Sequence, residues 1–505
     1  RDQIAKLKDK NVTNAATVVI DPRTGEILAM VGSVDFYSDT IKGQVNVALM
    51  PRQPGSSIKP FTYLTEMERG ATPATMYWDR KTTFTNQYGQ TYTPVNYDGT
   101  YHGAVLMRES LARSLNVPAV LALNDVGLPA FMTMTQKVGI AFPPNPAYGL
   151  AVTLGGAEAR LIDMTSAYAV IANGGVRLPS TAIARVERAD GTLLRDYLTG
   201  FGEPAPATGT TSRAQPSLAE SQNPAVAPAA ARATRRDQVL SPEHAWLITS
   251  ILSDDAARVK SFGPGSILNL KNRPAAVKTG TTNDFRDNLT IGFTPELVVG
   301  VWVGNTNNTE MKGTTGTTGA APIWNQIMEE ALKGKPATAF ARPAGIVERE
   351  ICLDGGREPS PECPANRRAR EFFAASQPPL PADAAVERAA RENNPDIAAQ
   401  PAPPPPPTSS IVVTVPGSVR RGELLSIQGV VNPPGFERYQ VEYGSGESPG
   451  EWRWISGPHL SPVNGGQVTA WTAPGDLPPG RYTIRVTAFG ADGASVGYAR
   501  FDLTP

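Results

Sequence analysis

Residues 54–60 read Pro-Gly-Ser-Ser-Ile-Lys-Pro, a stretch that combines turn residues with a serine and a lysine at short spacing. Pro54 and Gly55 favour a turn, and serine is a preferred residue at the start of a helix. In a helix that begins here, Ser56 and Lys59 lie on the same face, one turn apart. A hydroxyl and an amine held that close can share a proton, which would make Ser56 a nucleophile. The alternative is a capped helix with a solvated lysine, because this spacing arises roughly once or twice by chance in a chain of this length.

Two further short motifs follow in the chain and bear on this choice. Ser114-Leu115-Asn116 comes after an apolar helical pattern that begins near Met107. Lys278-Thr279-Gly280 comes after the apolar residues 275–277, which are typical of a strand. Taken alone, Ser114 could be a mid-helix serine bonded to its own backbone, and Lys278 could end an ordinary strand. The ordered set of Ser-x-x-Lys, Ser-x-Asn and Lys-Thr-Gly, however, is similar to the set found in penicillin-binding proteins and class A β-lactamases.

The similarity extends to the residues around the three motifs. The chain resembles the transpeptidase domain of class A penicillin-binding proteins over about residues 14–335, and in its cysteine loop. The stretches that carry this resemblance are Arg52-Gln-Pro-Gly-Ser-Ser-Ile-Lys-Pro-Phe, Ser114-Leu-Asn-Val-Pro-Ala-Val, Ala172-Asn-Gly-Gly, Lys278-Thr-Gly-Thr-Thr-Asn-Asp and Val299-Gly-Val-Trp-Val-Gly-Asn. The resemblance implies an α+β fold of the penicillin-binding-protein and serine β-lactamase type. The glycosyltransferase domain and membrane anchor usual in that family have no counterpart here, so we expect membrane attachment only through an N-terminal anchor outside this chain.

The resemblance also implies the reaction, which is acyl transfer from a peptide that ends in D-alanyl-D-alanine, with no metal and no cofactor. Ser56 is expected to attack the penultimate carbonyl carbon. Lys59 is expected to be its base, because burial and the nearby Lys278 cation would lower the pKa of Lys59. Ser114 and Asn116 are expected to relay the proton to the leaving amine and to hold the substrate amide.

The remaining site residues are assigned to the substrate by the same resemblance. Thr279, Gly280 and Thr281 are expected to bind it, with Thr279, Thr281 and Lys278 at its terminal carboxylate. The missing side chain of Gly280 would let a peptide backbone approach the strand. The backbone N–H groups of Ser56 and Thr281 are expected to form the oxyanion hole. The implied function is a D,D-transpeptidase that cross-links peptidoglycan stem peptides through an acyl-enzyme on Ser56 and is covalently inhibited by β-lactams. Two alternatives stay open, a D,D-carboxypeptidase with water as acceptor and a penicillin-binding sensor that does not turn over.

A β-lactamase is disfavoured by the same comparison. In that family a glutamate in a Glu-x-x-Leu-Asn loop activates the water that releases the acyl group. The nearest counterpart in this chain is Glu158-Ala-Arg-Leu-Ile, which lacks the asparagine. Rapid hydrolysis of a penicilloyl-enzyme is therefore not expected.

Composition narrows the partners and the compartment. The chain carries 47 basic and 47 acidic residues, and this zero net charge gives no reason to expect nucleic acid as a partner. Cys352 and Cys363 lie in a short Gly/Pro-rich loop, which favours a disulfide over two free thiols and a location outside the cytoplasm. We expect the extracytoplasmic side of the bacterial cell membrane, with peptidoglycan stem peptides, β-lactam antibiotics and cell-wall assembly proteins as partners. His102, His244 and His459 are far apart and are interpreted as structural.

The chain divides by composition into three parts. Residues 1–340 alternate hairpin and helix patterns around an Ala/Pro/Ser/Thr-rich insertion at about 202–235, and predict the transpeptidase domain. Residues 341–408 hold the cysteine loop and a linker that ends in the proline run 403–407. Residues 409–505 contain short β-rich segments separated by turns, which predict an all-β, immunoglobulin- or fibronectin-like sandwich.

Local patterns predict individual elements within these parts. A hairpin is expected over 16–32, and helices over 56–69, 106–137, 160–173 and 322–333. A further helix is expected to begin at Ser241 as its N-cap. The tryptophans of the third part are expected to lie in the sandwich core; they are Trp452, Trp454 and Trp471.

Overall fold

The computed structural model describes residues 1–85, 89–145, 148–198, 237–282, 285–394, 411–447, 449–491 and 493–505. The predicted insertion at 202–235 and the proline run at 403–407 lie outside these ranges. The chain folds into two compact units, Arg1–Ala399 and Gln400–Pro505. Each unit has a hydrophobic core of its own.

The first unit mixes helices with short and long strands. Its strands are β1 (Asn14–Ile20), β2 (Ile27–Val31), β3 (Pro51–Arg52), β4 (Met76–Asp79), β5 (Phe84–Thr85), β6 (Thr91–Tyr92), β7 (Gly103–Leu106), β8 (Ala159–Arg160), β9 (Val176–Arg177), β10 (Arg185–Glu187), β11 (Leu193–Asp196), β12 (Asp237–Gln238), β13 (Ala276–Thr281), β14 (Asp287–Phe293), β15 (Val298–Gly304), β16 (Ile346–Cys352) and β17 (Arg368–Ala374). Its α-helices are α1 (Asp2–Lys6), α2 (Lys59–Met67), α3 (Met107–Ala112), α4 (Asn116–Val126), α5 (Leu128–Val138), α6 (Leu161–Ala172), α7 (Pro242–Leu252), α8 (Asp255–Phe262), α9 (Ala320–Ala331) and α10 (Ala384–Glu392).

A five-stranded antiparallel sheet in the order β13-β14-β15-β1-β2 forms the centre of this unit. Every residue of β1, β14 and β15 is buried, because helices cover both faces of the sheet. Successive residues of β1 alternate between two cores, Val18 and Ile20 on one face and Val19 on the other. The hairpin predicted over 16–32 is confirmed as β1–β2, and the mixture of layers confirms the α+β class.

Helix α2 packs into the larger of the two cores of this unit, the one that also contains Val18 and Ile20, and all of its residues are buried. The predicted helix over 56–69 begins with a 3-10 turn, Gly55–Ile58, and becomes an α-helix at Lys59. The single helical stretch predicted over 106–137 is wrong in one respect, because the structure divides it into α3, α4 and α5. Ser114 and Gly127, with φ angles of 64° and 75°, adopt backbone conformations that interrupt a right-handed helix.

Helices α6, α7 and α9 agree with their predicted positions. Ser241 caps α7 as expected, since its hydroxyl accepts a hydrogen bond of 3.1 Å from the backbone N–H of His244. Among the described residues, no single helix is long and apolar enough to cross a membrane, and the one pair that would pass together, α4 and α5, is bent by 98°.

The cysteine segment is more ordered than the loop and linker that the sequence predicts. Strands β16 and β17 form a hairpin, and Cys352 and Cys363 are joined by a disulfide. Ile351 and Phe373 on this hairpin share a buried cluster with Ala74. The segment up to the end of α10 therefore belongs to the first unit, because its apolar face is buried against that unit.

The second unit is built from strands in its described part. They are β18 (Ile411–Thr414), β19 (Ser418–Arg420), β20 (Leu424–Val431), β21 (Arg438–Ser445), β22 (Arg453–His459), β23 (Val463–Thr472), β24 (Gly480–Gly490) and β25 (Gly493–Thr504). They form a three-stranded sheet, β18-β20-β23, and a five-stranded sheet, β19-β25-β24-β21-β22. Buried residues of both sheets, such as Ile427 and Val486, form one hydrophobic cluster.

The prediction that all three tryptophans of this unit lie in its core is wrong for Trp452 and Trp454. Trp452 is half-buried and outside the core cluster, with the Arg485 guanidinium carbon 4.2 Å from its ring centre. Trp471 packs against the core, but the Trp454 side chain is 53% exposed. Trp454 is opposite Glu442 in the β21–β22 register, on the face that points away from the buried Val441. The period of two along a strand places alternate side chains on opposite faces, so an aromatic residue type alone does not fix burial.

Candidate active site

The serine of the first motif lies on a turn that is pressed against strand β13. A Cβ atom added to Gly55 would lie 2.7 Å from the Thr281 nitrogen, and one added to Gly280 would lie 2.1 Å from the Pro54 carbonyl oxygen. Because side chains are missing at both points, the turn and the strand meet backbone to backbone. Ser56, the residue after Gly55, is half-buried on this turn.

Gly280 also makes a contact that the sequence does not predict. The expected role of its missing side chain, to let a substrate backbone approach the strand, stays a prediction. The structure shows that its Cβ position faces Pro54 and the backbone nitrogen of Ser57, the latter at 3.2 Å. The glycine is required by contact within the protein, on the side of the strand that carries the Ser56 turn.

Lys59, one turn after Ser56, is fully buried, and its amine is surrounded by acceptors. The Nζ atom donates to the carbonyl oxygens of Ser114 at 2.7 Å and Leu115 at 2.9 Å, and to Asn116 Oδ1 at 2.7 Å. Burial lowers the pKa of Lys59 well below its usual range, and the Lys278 cation lowers it further. Among the described residues, the second motif thus supplies all three hydrogen-bond acceptors of this amine.

Lys278, the second buried lysine, reaches the same motif from the sheet. Its Nζ donates to Ser114 Oγ at 2.7 Å and to the Thr279 carbonyl oxygen at 2.9 Å. Burial lowers the pKa of Lys278 to about 7. Ser114, whose backbone is left-handed with φ of 64°, thus accepts from Lys59 through its carbonyl oxygen and from Lys278 through its hydroxyl.

The other predicted site residues lie on β13 and at the start of α4. Strand β13 is an edge strand of the central sheet, paired with β14. On it, Thr279 is buried and the hydroxyl of Thr281 accepts a hydrogen bond of 3.1 Å from the Gly316 nitrogen. Asn116 Nδ2 donates to the Val95 carbonyl oxygen at 2.8 Å. By contrast, Glu158 is an exposed residue in the loop before β8.

A buried group behind the Ser56 turn was missed by the sequence analysis. Asp287 Oδ1 accepts a hydrogen bond of 2.7 Å from Trp302 Nε1 and lies 3.8 Å from Arg52 Nη1. Burial raises the pKa of Asp287, and hydrogen bonds from Trp302 and from the Gln53 backbone oppose that rise. These contacts tie strand β3, just before the turn, to β14. Asp287 stands in no motif, so the sequence held no local signal for it.

Together, the fold and this arrangement define a serine acyltransferase type of protein, with two buried lysines meeting one serine-asparagine motif beside a half-buried serine. Residues 15–329 match the penicillin binding protein transpeptidase domain, and the chain belongs to that family.

Curated relatives support this assignment. The chain is 30% identical over 335 residues to penicillin-binding protein 1A of Neisseria lactamica, an alignment that covers 66% of this chain and 37% of the relative. It is 32% identical over 352 residues to penicillin-binding protein 2D of Bacillus subtilis, covering 68% of this chain and 45% of the relative. The alignments thus span less than half the length of these relatives.

Solved structures agree on the fold. Penicillin-binding protein 1A from Haemophilus influenzae superimposes with a TM-score of 0.59 at 26% identity, over 74% of this chain and 54% of that one. The PonA1 protein from Mycobacterium tuberculosis in complex with penicillin V superimposes with a TM-score of 0.52 at 24% identity, over 68% of this chain and 85% of that one. The second similarity concerns the fold alone.

Proposed function

We propose that this chain is a serine D,D-transpeptidase that cross-links peptidoglycan stem peptides through an acyl-enzyme on Ser56. The observation that carries the proposal is the pair of buried lysines joined through Ser114, with Lys59 one turn after Ser56. A lysine in water is protonated at neutral pH and cannot act as a base. Burial of Lys59 beside a second cation favours the neutral amine, which is the form that can accept a proton.

In the proposed acylation, Ser56 Oγ forms a bond to the penultimate carbonyl carbon while its proton moves to Lys59 Nζ. A neutral Lys59 donates only two hydrogen bonds, so one of its three acceptors is released and a lone pair is free for that proton. The peptide C–N bond then breaks. The leaving nitrogen takes a proton from the Ser114 hydroxyl, which is replenished by the Lys278 ammonium in contact with it.

Deacylation reverses these transfers with a new nucleophile. The amine of a neighbouring stem peptide attacks the acyl carbon and loses a proton through Ser114 to Lys278. Ser56 Oγ leaves and takes back the proton from Lys59, so both lysines return to their starting states. The pKa of Lys278, about 7, allows it to give and to take a proton near neutral pH. The amides of Ser56 and Thr281 are proposed to hold the carbonyl oxygen, and Thr279 and Thr281 the substrate carboxylate.

The first experiment measures the mass of the intact chain after incubation with a penicillin. We expect a long-lived adduct of one penicillin on the wild type and none on Ser56→Ala. Ser418→Ala removes an exposed serine of the second unit and should keep the adduct. An adduct that persists on Ser56→Ala, or its absence on the wild type, would contradict the proposal.

The second experiment separates transpeptidation from its alternatives. A pentapeptide ending in D-alanyl-D-alanine is supplied with and without a primary amine acceptor, and the products are identified by mass. Aminolysis product that increases with acceptor concentration supports the transpeptidase. Hydrolysis alone at every acceptor concentration would indicate a carboxypeptidase, and no release of D-alanine would indicate a sensor.

We further propose that the second unit is an immunoglobulin- or fibronectin-like sandwich that serves localisation or partner binding rather than the reaction. Its support is the separate hydrophobic core of its two sheets. The proposed location is the extracytoplasmic side of the cell membrane, since the disulfide between Cys352 and Cys363 forms in oxidising compartments. Cell-wall assembly proteins are the proposed partners. Localisation of a tagged chain with and without residues 409–505 tests this role, and identical distributions would refute it.

A further inference from the structure

Helix α4, which begins at Asn116, lacks a cap of its own. The first N–H groups of a helix have no partner within it and need an acceptor from elsewhere. The residue before this helix is Leu115, which forms no side-chain capping bond. The acceptor comes instead from a distant loop, where Asn96 Oδ1 receives the backbone N–H of Asn116 at 2.8 Å and that of Val117 at 3.2 Å.

Asn96 is itself fixed by its other amide atom. Its Nδ2 donates to Asp79 Oδ1 at 2.9 Å, to Asp79 Oδ2 at 2.7 Å and to the Thr100 carbonyl oxygen at 2.8 Å. The orientation of the amide follows from these partners, because Nδ2 faces only acceptors and Oδ1 faces only donors. Asn96 is 3% exposed and Asp79 is fully buried, so water does not compete for these bonds.

Asp79 is held in turn by His102. The Asp79 Oδ2 atom accepts from the His102 backbone nitrogen at 3.0 Å and lies 2.6 Å from His102 Nδ1. The other ring nitrogen, Nε2, lies 3.1 Å from the exposed Asp98. Within the described ranges, His102 is the one basic side chain in contact with the Asp79 carboxylate. A buried carboxylate needs such partners, and here they all belong to one chain of contacts.

This chain of contacts leads to the amine of Lys59. Asn96 fixes the backbone of Asn116, whose Oδ1 accepts from Lys59 Nζ. The other two acceptors of the Lys59 amine are the carbonyl oxygens of Ser114 and Leu115, the residues immediately before that helix. The neighbouring residue in the loop, Val95, holds the Asn116 side chain.

We propose that Asp79, Asn96 and His102 are positioning residues for the acylation step: they fix the start of α4 and through it the acceptors around Lys59, without contacting the substrate. This inference rests on the proposed function. His102, which was interpreted from the sequence as structural, would then help to hold the acceptors around the proposed base, Lys59.

The test compares two buried carboxylates replaced by their amides. Asp79→Asn keeps the shape of the side chain but turns one acceptor into a donor that faces donors. Glu387→Gln is the matched control, because Glu387 is also fully buried and accepts from the backbone and hydroxyl of Ser360, away from Lys59. The readouts are the maximal acylation rate and the non-covalent affinity for a chromogenic cephalosporin, together with the melting temperature.

We expect Asp79→Asn to lower the maximal acylation rate at least tenfold with the non-covalent affinity within twofold of wild type. Glu387→Gln should lower the melting temperature and leave the rate within twofold. Equal effects of the two variants on the rate would overturn the inference while leaving the proposed function intact. If the wild type itself is not acylated, the proposed function fails, and the inference fails with it.

A second pair of variants keeps the test decisive if Asp79→Asn does not fold. His102→Asn retains a donor toward Asp79, and His102→Leu removes it. We expect the asparagine variant to keep most of the acylation rate and the leucine variant to lose at least tenfold at unchanged affinity. Rates that fall equally in both, or in neither, would contradict a positioning role of the ring nitrogen.

Discussion

The two units of the chain differ in how many polar and charged side chains they bury. The first unit buries two lysines with several carboxylates and amides around the Ser56 turn and at the start of α4. In the described part of the second unit, the buried polar or charged residues are Glu442 and Thr483, and its Arg481–Asp502 ion pair is exposed. Buried charges cost free energy of folding, so an ordinary scaffold avoids them. Their concentration in the first unit is consistent with the proposal that the reaction takes place there.

The sheets of the two units also differ in how completely their strands are buried. The central sheet of the first unit is covered on both faces, and its strands β1, β14 and β15 are buried throughout. The strands of the second unit alternate in burial, as on β24, where Ile484 and Val486 are buried and Arg485 between them is only half-buried. A sheet buried on both faces can hold an edge strand such as β13 rigidly beside the turn that carries Ser56. This rigidity is what an acyl-transfer site needs.

The largest expected effect is on the acylation rate when the proposed base, Lys59, is removed. Lys59→Met keeps an unbranched side chain in the same buried space but removes the amine. We expect the acylation rate by penicillin to fall by about 10²–10⁴-fold, the usual contribution of a general base. Stopped-flow or mass kinetics would measure it. Arg485→Met in the second unit is the control and should leave the rate unchanged. A Lys59→Met rate within fivefold of wild type would remove Lys59 from the mechanism.

The next effect concerns the close contact between the turn and β13. Gly280→Ala places a methyl group 2.1 Å from the Pro54 carbonyl oxygen, so the two segments must separate. We expect destabilisation of about 1–3 kcal/mol, typical of overpacking, with acylation slowed at least tenfold. The matched control is Gly417→Ala, where a Cβ meets nothing within 4 Å. Equal stability by calorimetry and equal acylation rates for the two variants would show that neither property depends on this contact.

The pH dependence of stability offers a smaller effect with a definite sign. The pKa of Lys278 is lowered from 10.5 when unfolded to about 7 when folded. Between these values the unfolded chain binds more protons, so this lysine makes the folded unit more stable as pH rises, by up to about 1.4 kcal/mol per pH unit. Below about pH 7 both states are protonated and the penalty of the buried charge is complete.

A Lys278→Met variant isolates that contribution. The free energy of unfolding of the wild type relative to this variant should rise between pH 7 and pH 9, as measured by denaturant titration. Lys335→Met replaces an exposed lysine of the first unit and should show no such slope. A flat difference for Lys278→Met would mean that the amine stays protonated in the folded protein.

The smallest effect is expected from removal of the second unit. A chain that ends at Ala399 retains the whole first unit, including its separate cores. We expect its rate of acylation by penicillin to stay within twofold of the full chain. A loss of acylation rate greater than tenfold would show that the second unit contributes to the reaction, against the proposal.

The sequence predicted those features that depend on short-range pattern. The hairpin β1–β2, helices α2, α6 and α7 and the strand-like run at β15 follow from apolar periodicity and turn residues. The three motifs, in their order, named the lysines and the serine-asparagine pair that the structure brings into contact. Burial of Trp454 was predicted wrongly because side-chain type does not reveal which face of a strand points inward.

By itself the sequence determined which chemical groups are present and at what local spacing, since one helical turn fixes Ser56 and Lys59 relative to each other. Only the tertiary structure decided how those groups are tuned. The low pKa of Lys59 depends on burial and on Lys278, which is remote in sequence. The cap that Asn96 provides to α4, and the contact that requires Gly280, join segments that no local pattern connects. Desolvation and long-range hydrogen bonds exist only after the chain has folded.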